Sequence, residues 1–315
     1  MGSPSWVALA EEYLALRRKL GFGLHIEGEE LRRFARYADG VGHRGPLTID
    51  LAVRWATQPS ENHRLYRARR LDVVRRFATH RRIYDPGTEV PPMGLLGPSN
   101  GTRPVPHIYS DDEIAALLKK TAELRPRRGL GRHTYATLFG LLSSTGLRVG
   151  EALRLRRTEV DLTAGVLTVV ETKFHRSRLV PMHPSTTAAL RAYAARRDRE
   201  IPDADPTAFF VTNGGTPLKY GHVRTAFKRL RRQLGWVRDD GRLPRIHDLR
   251  HSFAVKRLLR WYDEGRDINQ HIIQLSTYLG HVKLKDTYWY LTAIPELMAA
   301  AGHRFEIAAR RGGRP

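Results

Sequence analysis

The 315 residues carry 54 Lys and Arg against 32 Asp and Glu, a formal net charge of +22, with 41% hydrophobic residues, 27% charged residues and no cysteine. This composition excludes a disordered chain, a disulfide scaffold, a thiolate zinc site and a cysteine nucleophile, and the surplus of positive charge points to a polyanion, most often nucleic acid. The length exceeds the usual single-domain size and predicts two domains, each with its own core.

Near the N-terminus Glu11 and Glu12 stand without a long apolar run. No stretch of about 18 apolar residues occurs anywhere, so neither a signal peptide nor a membrane span is expected and the chain reads as cytoplasmic. Leu9, Tyr13 and Leu16, then Leu31, Phe34 and Tyr37, then Ile49, Leu51, Val53 and Trp55 recur near helical spacing, which makes residues 1–84 a helical domain. From Glu61 to Arg82 a narrow apolar stripe of Tyr66, Val73, Val74 and Phe77 is surrounded by arginines, with only Glu61 and Asp72 to balance them. A helix of that kind packs on one side and meets phosphates on the other, so Arg64, Arg67, Arg69, Arg70, Arg75 and Arg76 are candidate nucleic-acid contacts.

Residues 85–108 are rich in Pro and Gly and read as a linker. Ser110 with Glu113 three residues on then forms a capping-box signature that opens a second domain over 109–315. Tyr135–Leu142 predicts a buried helix stopped near Gly146. Val166–Val170 and Leu179–Pro181 predict a hairpin turning around Lys173–Ser177. Helical patterns resume over Thr186–Arg196, Val223–Leu234, Ser252–Trp261 and Ile272–Leu279, and again after Pro295 through Leu297, Met298, Ala301 and Phe305. Arg310, Arg311 and Arg314 make a basic tail. The expected architecture is mainly α with a small antiparallel β-sheet.

Several short motifs suit phosphodiester chemistry. In Thr145–Glu151 a glycine ends one helix and Arg148 opens the next, with Glu151 one turn on to orient it. Lys173 sits in the hairpin turn. His247 and Arg250, three apart, share a helix face and can converge on one anion. Gly280-His281 closes an apolar helix, and Tyr288-Trp289-Tyr290 follows. A phenol can attack phosphorus, guanidinium forks can hold non-bridging oxygens and imidazoles can carry protons, without a carboxylate pair. Each piece alone also fits a plain structural role: a helical salt bridge, a solvated turn lysine, a capping histidine, core aromatics.

Taken in order, Arg148, Lys173, His247, Arg250, His281 and Tyr290 resemble the tyrosine recombinase (phage integrase) family, whose pattern is Arg, Lys, HxxR, His or Trp, then Tyr. The resemblance covers Ser110 to about Phe305, and the helical N-terminal part is similar to that family's core-binding domain, the second part to its α+β catalytic domain. The ending Trp289-Tyr290-Leu291-Thr292 resembles integrases borne by transposons. The resemblance implies a site-specific recombinase of bacterial type acting on double-stranded DNA, as a homotetramer on paired sites, alone or with other recombinase subunits. It places the nucleophile at Tyr290, nine residues past His281; Tyr288 would need a register change. Arg148 and Arg250 would clamp the non-bridging oxygens, His281 would add a hydrogen bond and His247 would assist the proton of Tyr290. Lys173 would be the general acid for the departing 5′ hydroxyl, and the product a 3′-phosphotyrosine whose rejoining needs no ATP, metal or other cofactor. The sequence holds no Gly-x-x-x-x-Gly-Lys loop and no convergent carboxylate set for Mg²⁺. Two alternatives stay open at this point, DNA relaxation like that of a type IB topoisomerase and a non-catalytic DNA-binding protein, as does docking of the last helix in cis or in trans.

Overall fold

Four helices among the described residues build the first of two units into which the chain divides, Met1–Pro104 and Val105–Pro315. The computed structural model describes residues 4–58, 63–99, 105–126, 129–172, 176–238 and 240–293. In the first unit, α1 (Trp6–Lys19) starts where the Ser5 hydroxyl accepts from the Ala8 N–H, and α3 (Ile49–Thr57) where Thr48 does the same for Leu51. The Asp39 carboxylate, near the end of α2 (His25–Gly40), accepts from the Trp6 and Val7 N–H groups and ties the two helices together. Trp6, Phe34, Trp55 and Phe77, the last from α4 (Arg64–Arg81), meet edge to face in the core. Residues 85–99, read from the sequence as linker, pack onto this unit. The Glu89 N–H donates to the Leu47 carbonyl, the Glu89 carboxylate accepts from the Ile49 N–H at 2.6 Å, and Val90 and Leu96 lie against the core.

The second unit opens with α5 (Asp111–Lys120) and the capping box predicted for it. Ser110 Oγ accepts from the Glu113 N–H at 3.0 Å, while the Glu113 carboxylate accepts from the Ser110 N–H at 2.8 Å. A buried helix, α6 (Gly131–Thr145), ends at Gly146 in the left-handed conformation, and the short α7 (Val149–Arg154) follows at once. The sheet is antiparallel in the order β1 (Val160–Asp161), β2 (Val166–Thr172), β3 (Arg176–Pro181). Leu167, Val169 and Val180 alternate onto its buried face, and the pairing of Val169 with Arg178 sets Arg178 on that same inward face. Two helices, α8 (Pro184–Glu200) and α9 (Tyr220–Gln233), lead on to α10 (Asp248–Asp263), which packs on both α6 and α11 (Ile268–Leu279); α11 in turn packs on α12 (Lys285–Ala293).

This is the mainly helical fold with a small antiparallel sheet that the hydrophobic pattern predicts. Among the described residues no helix is long and apolar enough to cross a membrane. Glu61, Lys173, the helix expected after Pro295 and the basic tail lie outside the described residues.

Candidate active site

Gly146 and Gly280 place the backbone groups around which the site is built. Both cap helices with positive φ, +63° at Gly146 and +68° at Gly280. A Cβ on the first would meet the Phe253 ring at 2.6 Å, and one on the second the Arg178 guanidinium at 2.7 Å, so neither position has room for a side chain. The helix ends thus exposed receive arginines. Arg250, on the first turn of α10 and 2% exposed, donates from Nη1 to the Gly146 carbonyl at 2.7 Å and from Nη2 to the Leu279 carbonyl at 2.6 Å. Burial, and then the like charge of Arg148, pull this guanidinium down to about 9, still protonated at neutral pH.

Arg148 stands between α6 and α7, half in solvent, with Glu151 one turn on as predicted. Its Nη1 donates to Glu151 Oε1 at 2.8 Å, its N–H to Oε2 at 3.0 Å and its Nη2 to the Gly280 carbonyl at 3.2 Å. Glu151 also takes a second cation that the sequence reading missed: Arg178 on β3 donates to both of its oxygens, at 3.2 and 2.8 Å. Burial alone would raise the Glu151 carboxyl, but hydrogen bonds and charge from Arg178 and Arg148 overcome it and hold it at about 2. The cluster therefore sets three guanidiniums against one ionised carboxylate, a surplus of positive charge partly withdrawn from water. That is an anion site.

The imidazoles lie at the start of α10 and just past the end of α11, and the phenol lies on α12. Tyr290 is fully buried, and its hydroxyl is 2.8 Å from Nδ1 of His251, another residue to which the sequence reading assigned no role. His247 stacks edge-on against His251 at 4.8 Å, so the structure sets His251 between His247 and the phenol. Desolvation, followed by the charge of Arg250, depresses the His247 imidazole to about 4 although the residue keeps surface in solvent; His247 is neutral at pH 7. His281 follows the Gly280 turn, bonds Thr287 Oγ1 through Nδ1 at 2.7 Å, and lies parallel to the Tyr290 ring at 6.5 Å. Tyr288, two residues earlier, is 38% exposed and faces outward. Arg148, Glu151, Arg250 and the Gly280-His281 turn thus come together, with the Tyr290 ring beside that of His281.

The arginines of α4 divide. Arg64, Arg69 and Arg76 are exposed; Arg69 donates to the Ser99 carbonyl, and Asp72 accepts from both Arg75 and Arg76. Arg67 is half-buried. Arg70 is not on the surface at all. Only 8% exposed, it lies over the Trp55 ring at 3.9 Å and donates to the Gln58 carbonyl. The stripe read from α4 placed Tyr66 one turn before Arg70, but it could not reveal the Trp55 ring and the Gln58 carbonyl, which come from α3 and its end.

Comparison with known proteins follows the same lines. Residues 109–296 match the model of the phage integrase family. The Sinorhizobium fredii protein y4rB, named as an integrase/recombinase, is 43% identical over 303 residues, spanning 94% of this chain and 95% of that protein. The tyrosine recombinase XerC of Rhodospirillum centenum is 33% identical over 284 residues, 89% of this chain and 71% of its own. Among solved structures, the Tn1549 transposon integrase in complex with transposon right end DNA aligns with a TM-score of 0.66 at 15% identity, over 97% of this chain and all of that one. The XerH site-specific recombinase bound to its palindromic difH substrate aligns at 0.64 and 15%, over 90% and 80%. At these identities the structural likeness is one of fold.

Proposed function

This chain belongs to the phage integrase family and is a site-specific tyrosine recombinase, an enzyme that cuts and rejoins DNA, and we propose that Tyr290 is its nucleophile and that Arg148 and Arg250 hold the scissile phosphate. The observation that carries this reading is the convergence of two differently fixed guanidiniums, one buried on helix-end carbonyls and one half in solvent, beside a phenol on the adjoining helix. Two forks can take the two non-bridging oxygens, and their charge favours both phenolate and the charge that develops on phosphorus. His281, fixed at one ring nitrogen by Thr287, adds a hydrogen bond to the phosphoryl group. Lys173 remains the proposed general acid for the 5′ hydroxyl, and the product of cutting is a 3′-phosphotyrosine.

A phenol buried at 0% exposure does not meet a phosphodiester, so cutting in this reading follows a shift of α12 that carries Tyr290 away from His251 and toward the arginines. DNA as partner is supported by the net charge of +22 and by the DNA-bound recombinases that share the fold. Exposed Arg64, Arg69 and Arg76 offer the first unit's phosphate contacts, and the working assembly on paired sites is proposed to be a homotetramer. The test is a nicked suicide duplex cut from the DNA that flanks the gene. The wild-type chain should leave a denaturation-resistant adduct with it, and Tyr290→Phe should leave none while still binding the duplex. An adduct that survives in Tyr290→Phe moves the nucleophile elsewhere.

A further inference from the structure

We propose that Arg178 is a positioning residue for strand cleavage: by sharing the Glu151 carboxylate, it leaves Arg148 with an uncancelled positive charge for the scissile phosphate. The inference rests on the reading of Arg148 given above. Arg178 does not itself face DNA. Its side chain is 9% exposed, two of its nitrogens are bonded to Glu151, and Nε donates to the Tyr278 carbonyl at 2.8 Å.

Glu151 presents an electrostatic problem that Arg178 answers. A carboxylate is needed there, because it both orients the Arg148 guanidinium and caps the start of α7 through the Arg148 N–H. Its side chain is only 4% exposed, so solvent screens it little. Paired with Arg148 alone, such a carboxylate would offset most of that arginine's charge just where a phosphoryl group must be stabilised. With Arg178 on its other side, the three groups together carry one net positive charge, and Arg148 is the member of the trio that reaches solvent. The register of β3 makes this possible: Arg178 shares the inward face with Val180, one strand position from the buried sheet core, and its guanidinium lies flush against the Gly280 turn that receives Arg148.

A strut that merely braces β3 against that turn would look the same in the structure, and a charge test separates the two. Adduct formation is followed in single turnover on the suicide duplex, with duplex affinity measured in parallel. Arg178→Met should slow cleavage about tenfold or more while affinity stays within about threefold, since the charge lost acts on the transition state. Arg178→Lys, which keeps the cation, should retain more of the rate. Adding Glu151→Gln to Arg178→Met should speed cleavage above Arg178→Met alone, because the uncompensated carboxylate is gone. Parental rate in Arg178→Met, or a double variant no faster than Arg178→Met, overturns the proposal. Should Arg178→Met not fold, Glu151→Gln is compared with the double variant: rates equal within about threefold support the proposal and a further loss of about tenfold overturns it. A wild-type chain that forms no adduct on this duplex, or one whose adduct survives Tyr290→Phe, would fail the reading of the site itself, which is a different result from an indifferent Arg178.

Discussion

Arg70 and Arg250 are both buried arginines on helices, one in each unit, yet they are surrounded by opposite things. Arg70 lies over Trp55, has Tyr66 5.7 Å away, donates to the Gln58 carbonyl and has the Glu30 carboxylate 3.6 Å from its Nε. The groups it stacks on, bonds or pairs with are aromatic, a carbonyl or anionic. Arg250 bonds two carbonyls, but the charges around it include Arg148 and Arg178, with one carboxylate between the three. A cation wrapped in compensation belongs to the fold; a cation crowded by its own sign is held ready for an anion.

The contrast can be broken first at Arg250. Arg250→Ala should slow adduct formation by about 100-fold to 1,000-fold, the cost of one preorganised donor, and Arg250→Lys should recover little because an ammonium cannot bridge both helix ends. A lysine variant that cleaves at near the parental rate would mean that charge alone matters. Arg70→Leu is the counterpart. It should destabilise the first unit by about 2 kcal/mol, the value of a desolvated cation–π contact, seen as a lower denaturant midpoint, with cleavage at saturating duplex unchanged. A slowed chemical step in that variant would erase the distinction. Smaller still are Arg64→Ala and Arg76→Ala on the exposed face of α4. If each removes one phosphate contact, affinity falls a few-fold at moderate salt and the slope of log affinity against log salt drops by about 0.9 per contact. An unchanged slope removes that arginine from the DNA face.

A further effect concerns His247. Its imidazole is depressed to about 4 in the fold against an ordinary value of 6.5, so between those limits the unfolded chain binds the extra proton. Stability should therefore rise with pH across that window and fall as pH drops through it. The melting temperature measured from about pH 6.5 down to about 4 should decline more gently in His247→Gln. His80 and His133, also lowered by burial, keep part of the slope.

What could be read before the structure was local. The Ser110 capping box, the Arg148–Glu151 pair and the helix stops at Gly146 and Gly280 each lie within one turn of chain, where spacing alone decides who meets whom. Arg178 and His251 escaped notice because their partners are distant: Tyr278 is 100 residues from the one and Tyr290 is 39 from the other. A signal existed in each case. Arg178 alternates with Val180 on a strand, an odd place for a charge, and His251 stands one turn beyond His247 on α10. Arg70 was misplaced for the same reason, since the Trp55 ring and the Gln58 carbonyl come from α3 and its end, although Tyr66, one turn earlier on α4, was a local signal.

The carbonyls that receive the arginines are the last ones of α6 and α11, and each helix brings the negative pole of its dipole, equivalent to roughly half an elementary charge, to the guanidiniums. These counter-ions have no pKa and cannot exchange with salt. Of the side chains bonded to Arg148 and Arg250 among the described residues, the titrating one is Glu151, held near 2. Below the value of about 9 at which Arg250 is held, the two arginines should therefore keep one shape and one charge. A pH dependence of cutting in that range then reports on the other groups of the proposed site, the imidazoles, the phenol and Lys173.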